Sequence, residues 1–309
     1  MTESTFTPPH PLKTAVLFLV FNRPDTTKQV FEAIRKAKPP RFYVTADGPR
    51  EHKEGEVEKI QAVRDYVMGN IDWDCKVKTL FRDKNLGCKY AVSSAITWFF
   101  ENEEMGIILE DDCLPSQSFF WFCEELLDRY KDDMRVWQIN GFNPLENVDI
   151  GEDYYFSKFG PIWGWASWRR AWKHYDVEMK TWPEVRRKKL YTAFCDSKRE
   201  KVWRVQLFDD VYNDKIDTWD YQWSFTKLIN NGLSIMPKAN MVQNIGFGKD
   251  ATHTKGNSGN YESSDITFPL INPLSIIPNI AYDNEYFDRF VRFSGIKRRI
   301  RNIYEKLFS

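Results

Sequence analysis

The stretch Ile107-Ile108-Leu109-Glu110-Asp111-Asp112-Cys113-Leu114-Pro115 decides how the rest of the chain is read. The apolar run from Gly106 to Leu109 is too short for a helix and reads as a buried strand. It leads straight into three carboxylates. Adjacent carboxylates repel one another, so such a cluster is stable when a cation or hydrogen-bond donors neutralise it. Oxygen ligands on a loop with open positions suit Mg2+ or Mn2+ bridging to substrate phosphates better than a closed cage. For the triplet taken alone, the plainer alternative is an acidic turn in which Asp112 caps a helix starting near Pro115.

Upstream, the same strand-then-polar pattern repeats. Residues 14–21 form a continuous apolar strand followed by Asn22-Arg23-Pro24-Asp25, where Asp25 or Thr26 can cap a helix through Thr27–Lys36. Arg41–Ala46 is a second strand ending at Asp47-Gly48-Pro49, and a charged helix then spans about Lys53 to Met68. A third strand lies near Cys75–Phe81, and Asn85-Leu86-Gly87 opens a helix running to Phe100. Strand–helix alternation with short connections predicts an α/β fold, a mostly parallel sheet covered by helices. Ligands of such sheets bind outside the carboxyl ends of the strands. Arg23, Asp47 and the triplet all fall at such ends.

After Tyr130 the alternation weakens, and residues 150–235 mix Trp-rich loops with charged helical stretches before a short strand at Ser234–Pro237. Gly246–Tyr261 is rich in Gly, Asn, Ser and Thr and reads as a mobile loop. No linker or internal repeat divides the chain. One domain over 1–285 is expected, with a donor half at about 14–130 and an acceptor half at about 131–285. The tail 286–309 is a basic amphipathic helix in pattern, with Ile296, Ile300, Ile303 and Leu307 on one stripe beside Lys297, Arg298, Arg299 and Arg301. It suits packing on the core or a second subunit, or peripheral contact with an anionic membrane.

Composition narrows the function classes. The 44 basic and 44 acidic residues cancel, which excludes a nucleic-acid binder that relies on a general basic field. Aromatics make up 16% of the chain, which serves a large core or flat platforms for sugar rings. The five cysteines are scattered with no CxxC pair, so they read as reduced thiols of a cytoplasmic protein rather than a zinc or redox motif. The polar N-terminus has no apolar signal core, and the longest apolar run falls far short of the ~20 residues that span a bilayer.

The triplet and its strand, leading into Phe119-Phe120-Trp121-Phe122, resemble the metal-binding segment of GT-A glycosyltransferases. The resemblance is to N-acetylglucosaminyltransferase I and its relatives. It implies a GT-A, Rossmann-like fold in which Asp112 coordinates Mn2+ (or Mg2+) on the donor diphosphate and Asp111 contacts the donor. By the same resemblance Arg23 contacts the nucleotide and Asp47 hydrogen-bonds uracil. Asn85-Leu86-Gly87 is similar to the family segment where a helix N-terminus approaches the donor. A helix N-terminus suits a diphosphate, and Lys89 can add charge there.

On the acceptor side, Phe159-Gly160-Pro161-Ile162-Trp163-Gly164-Trp165-Ala166-Ser167-Trp168 is similar to the family's Gly- and Trp-containing donor-sugar pocket, with Trp165 as a wall; a buried aromatic cluster is the alternative. Thr218-Trp219-Asp220-Tyr221 matches the family's Trp-Asp motif, which makes Asp220 the implied catalytic base and Asp217 its local competitor; Tyr221 stands where a second acid is usual. Phe247–Thr254 resembles a late loop that closes over the nucleotide, with Lys249 and Thr252 on phosphate and His253 as a second metal ligand.

The implied activity is inverting, metal-dependent transfer from a nucleotide-diphosphate sugar, a UDP-sugar, to a glycan or lipid-linked glycan. A sugar-nucleotide pyrophosphorylase is one alternative, but it expects a Gly-rich basic signature after the first strand, which Phe21-Asn22-Arg23-Pro24 lacks. The other is a non-catalytic carbohydrate-binding protein, which would tolerate loss of Asp112.

Overall fold

The computed structural model describes residues 6–145, 148–246 and 261–291. Lys249, Thr252, His253 and the tail beyond residue 291 lie outside them. The elements run β1 (Val16–Val20), α1 (Pro24–Ala37), β2 (Arg41–Ala46), α2 (Glu56–Gly69), β3 (Lys76–Phe81), α3 (Gly87–Asn102) and β4 (Met105–Glu110). They continue with β5 (Cys113–Pro115), α4 (Ser118–Arg129), β6 (Val136–Asn140), β7 (Tyr154–Ser157), β8 (Trp165–Trp168), α5 (Arg169–Trp172) and α6 (Trp182–Arg187). Last come α7 (Lys198–Tyr212), α8 (Asp220–Ile229), β9 (Leu233–Pro237), β10 (Val242–Asn244) and α9 (Ile280–Tyr286).

Eight strands form one sheet in the order β3-β2-β1-β4-β8-β6-β9-β7. The first four are mutually parallel, as alternation with helices requires. Beyond β4 the sheet is mixed: β8 is antiparallel to β4 and β6, β9 is parallel to β6, and β7 closes the edge antiparallel to β9. The whole is an α/β fold with a mostly parallel central sheet flanked by helices.

Period-2 geometry sorts β1 onto two faces. Val16, Phe18 and Val20 join one core with Val30, Phe31 and Ile34 of α1, Val63 and Val67 of α2, and the aromatic first half of α4. Leu17 and Leu19 join a second core with Ala95, Ile96 and Phe99 of α3 and with Trp165, Trp172, Trp219 and Trp223. A third core, including Trp182, Phe208 and Phe225, holds α6, α7 and α8 together. The helix after the triplet starts at Ser118 with Gln117 preceding it, so Asp112 does not cap it.

The three-residue strands β5 and β10 of the smaller sheet went unread in sequence, and so did three strands of the main sheet: β6, β7 and β8. Each of these last three has four or five residues, all buried, so no alternation shows. They also carry polar residues inward. Gln138 donates to Pro161 O at 2.7 Å, and Asn140 donates to Ile235 O at 2.8 Å.

This polar seam holds a buried lysine. Lys227 Nζ donates to Gln138 Oε1 and Ser234 Oγ, each at 2.6 Å. Gly160 makes room for it, since a β-carbon there would collide with the ammonium, with Ser234 and with Gln138. Burial lowers the Lys227 pKa to about 7, and the Arg204 charge adds to the effect. The folded value lies below the unfolded 10.5, so the unfolded chain holds this proton more tightly. The resulting cost to stability is largest below about pH 7 and fades as pH rises toward 10.5. Lys227→Met is therefore expected to raise stability by about 1–3 kcal/mol at acid pH and by less at alkaline pH. Gln138 Oε1 keeps its bond from Trp223 Nε1 in that variant. Urea unfolding at two pH values checks this, and an equal or opposite change at both would contradict it.

Candidate active site

Pairing of β2, β1 and β4 in register brings three loop beginnings to one end of the sheet. Leu19 stands beside both Thr45 and Glu110, and the chain leaves the sheet within a few residues on all three strands. Arg23 lies just before α1 and reaches across to the triplet. Its Nη2 is 2.7 Å from Asp111 Oδ1, and its Nη1 is 2.5 Å from Asp112 Oδ2. The Phe21 amide donates to Asp111 Oδ2 at 3.2 Å. Strand β10 pairs with β5, Ile245 N donates to Asp112 O at 2.8 Å, and Gly246 lies so close to the Asp112 carboxylate that a β-carbon would clash.

Among the described residues the charges do not balance. One guanidinium faces Glu110, Asp111 and Asp112, and Asp220 also lies within electrostatic reach of Glu110. Burial raises the Glu110 carboxyl to about 8; Asp112, Asp111 and Asp220 add to the rise and Arg23 opposes it. Among the described residues, buried Glu110 Oε1 has no hydrogen-bond partner. Asp111 is raised to about 7 by burial, against the pull of Arg23. Burial by itself would lower the Arg23 pKa; Asp111 and Asp112 outweigh it and hold the guanidinium above its ordinary value. A cluster of carboxyls with an unpartnered buried oxygen can be neutralised by protonation or by an added cation.

Linkage gives this imbalance a pH signature. Both raised carboxyls favour the folded state most below their ordinary values of 4.5 and 3.8, and that contribution is lost as pH rises through about 8 and about 7. Arg23→Met removes the cation that Asp111 and Asp112 share. It is expected to cost about 3–5 kcal/mol in the alkaline half of this window and less in the acid half. Chemical denaturation across the window measures it, and a loss independent of pH would count against an uncompensated carboxylate cluster.

The other expected site residues are placed as follows. Asp47 ties the end of β2 to the start of α3: its carboxylate accepts from Gly48 N at 3.0 Å, Leu86 N at 3.0 Å and Gly87 N at 3.2 Å. Asn85 Nδ2 donates to Gly48 O at 2.8 Å. The Lys89 amide donates to Asp217 Oδ1 at 3.2 Å, so side-chain carboxylates already occupy amides at the N-terminus of α3, where a diphosphate was expected. The Lys89 side chain is buried and points away to Asp214 at 2.9 Å. Trp165 is fully buried and stacked on Trp219 at 5.7 Å, so its ring belongs to the core and offers no open face to a sugar.

Asp220 is the first residue of α8, and Thr218 Oγ1 donates to its Oδ1. The backbone there is held by Tyr175 OH, which donates to Trp219 O at 3.0 Å. Asp217, the competitor in sequence, is engaged at α3. Cys88 sits among these acids, its thiol pushed up by burial and by Glu110, Asp220, Asp217 and Asp47.

Sequence reading missed a brace beside the site. Glu56, at 2% exposure, accepts from Asn22 Nδ2 at 2.8 Å and Arg50 N at 2.8 Å, which fastens the loop after β1 to the loop after β2. A glutamate in the first turn of a charged helix gave no signal of it.

Among the described residues, no group of three or more His, Cys, Asp or Glu could hold a metal ion. An open Mg2+ or Mn2+ site needs only one or two carboxylates, with water and substrate phosphate completing it. Asp112 fits that role better than Asp111, since its side chain is 13% exposed against 3%.

No protein-family model matches the chain. No curated protein matches it either. Among solved structures it is similar to UDP-glucose pyrophosphorylase complexed with UDP-glucose, at 8% identity and a TM-score of 0.32 over 53% of this chain and 79% of that one. A likeness that slight carries no argument about activity.

Proposed function

We propose that this chain is an inverting, metal-dependent glycosyltransferase that moves a sugar from a nucleotide-diphosphate donor, a UDP-sugar, to a hydroxyl of a glycan or lipid-linked glycan. One observation carries the reading: Arg23 and the Glu110–Asp112 triplet meet at the carboxyl ends of neighbouring parallel strands, with Asp220 within electrostatic reach. That is where α/β sheets bind nucleotides. The GT-A resemblance stated for the sequence is the other support.

In this reading Asp112 would hold Mn2+ or Mg2+, which would supply positive charge beside the departing diphosphate. Arg23 orients Asp111 and Asp112, and its charge faces the same phosphates. Asp220 takes the proton from the acceptor hydroxyl as that oxygen attacks the anomeric carbon and the bond to the diphosphate breaks. The buried indoles of Trp165, Trp219 and Trp223 pack together where α8, which begins with Asp220, joins the core. Lys249, Thr252 and His253 extend the proposal to the donor phosphates and the metal.

Incubation with UDP-sugars, Mn2+ and a panel of glycan acceptors, read by chromatography of the nucleotide, tests the reading. Release of nucleoside diphosphate with a glycosylated acceptor supports it. Formation of nucleoside triphosphate on addition of pyrophosphate would instead assign a pyrophosphorylase.

A further inference from the structure

Glu56 is the first residue of α2, and its carboxylate is buried, an uncommon place for a charged side chain. An acidic residue in a first turn ordinarily stays near the surface and complements the positive end of its own helix. Among the described residues, the hydrogen-bond donors to Glu56 come instead from the loops that leave β1 and β2. Oε1 accepts from Asn22 Nδ2 at 2.8 Å, Oε2 accepts from the Arg50 amide at 2.8 Å, and both oxygens accept from Arg50 Nε at 3.1 Å. Arg50 Nη2 donates to Oε1 as well.

This grip falls on the three residues that follow β1. The Phe21 amide is held by Asp111, and the Phe21 ring centroid lies 5.5 Å from Arg50 Cζ. Asn22 is held by Glu56. Arg23 spans to Asp111 and Asp112, while its carbonyl accepts from Thr27 N at 3.0 Å and from Thr27 Oγ1 at 2.7 Å. Thr27 of α1 thus anchors Arg23 from behind, Asp111 anchors Phe21, and Glu56 fixes the residue between them. Burying a carboxylate is costly even when it is paired, and an apolar residue would pack the start of α2 without that cost.

We propose that Glu56 is a positioning residue for the nucleotide-sugar donor. By clamping Asn22 and Arg50 it sets the reach of the Arg23 guanidinium to the triplet, and it touches neither sugar, phosphate nor metal itself. The proposal rests on the donor site read above at Arg23 and the triplet.

Glu56→Ala is expected to raise the donor KM roughly tenfold while the acceptor KM stays within about twofold. An enzyme that is only less stable loses active fraction, which lowers the maximal rate and leaves both KM values in place. Hydrogen exchange of the chain without substrates gives a second readout. The Phe21 amide should exchange faster in the variant, and the Phe18 amide within β1 should not. Asn22→Ala should reproduce both effects, and the double variant should add little to them, since the two side chains act as one unit. Glu56→Gln keeps one acceptor oxygen for Asn22 and should fall between; together with Asn22→Ala it carries the test if alanine at 56 prevents folding. An unchanged donor KM, an unchanged Phe21 exchange, or losses that add in the double variant would each overturn the proposal. A wild-type chain that turns over no nucleotide sugar would overturn the donor reading instead, and Phe21 exchange then decides alone whether Glu56 sets this loop.

Discussion

Asp112→Asn is expected to lower donor turnover by about 10²–10³-fold and to remove its dependence on Mn2+. The substitution keeps the shape of the side chain and the backbone bond from Ile245 N to Asp112 O, and Arg23 keeps its contact with Asp111. After burial, Asp112 is the largest contributor to the raised Glu110 carboxyl, so removing its charge relieves the cluster. Folding stability should therefore hold or rise slightly while activity falls. That combination separates a functional carboxylate from a structural one. Kinetics with and without Mn2+, together with titration of bound Mn2+ by electron paramagnetic resonance, give the two readouts. A variant that keeps wild-type turnover and the same cation requirement would remove Asp112 from the metal.

The second large effect is expected at Asp220. Asparagine there cannot take a proton, and loss of a general base costs about 10²–10⁴-fold in kcat. Donor affinity should stay within a few-fold, because Arg23 and the triplet remain intact. Asp217→Asn is the comparison. Its Oδ1 accepts from the Lys89 amide, a bond that an asparagine oxygen can also accept, so that variant should retain most of the activity. Single-turnover rates and donor titrations of both variants decide the matter. If Asp217→Asn were the crippled one, the base would have to be reassigned.

The first half of the chain was legible because its signals are local. Residues Arg41–Ala46 form a short run rich in aromatic and β-branched residues that stops at Asp47-Gly48-Pro49, and β2 has those same bounds. The apolar face of Val30, Phe31 and Ile34 marks α1 equally well, but that helix starts at Pro24 with Arg23 before it, so neither Asp25 nor Thr26 caps it. The second half hid its strands because β6, β7 and β8 are buried on every side and are paired through contacts distant in sequence, such as Asn140 with Ile235. The order of strand ends was enough to bring Arg23 to the triplet. It was not enough for the side chains around α3, whose partners come from elsewhere. Asp47 is spent on Leu86 and Gly87, and Lys89 on Asp214 and Asp217, residues whose proximity only the folded chain reveals. Glycine at 160 could be read as a close approach, but not that the approaching group is the Lys227 ammonium.

The most direct measurement is calorimetric titration of the wild-type chain with UDP-, GDP- and CMP-sugars, each with and without Mn2+, repeated on Asp112→Asn. The expected result is binding of a UDP-sugar that requires the cation and disappears in the variant. Absence of binding by every nucleotide sugar in the presence of Mn2+, or binding indifferent to both the cation and Asp112, would contradict a donor site at Arg23 and the triplet.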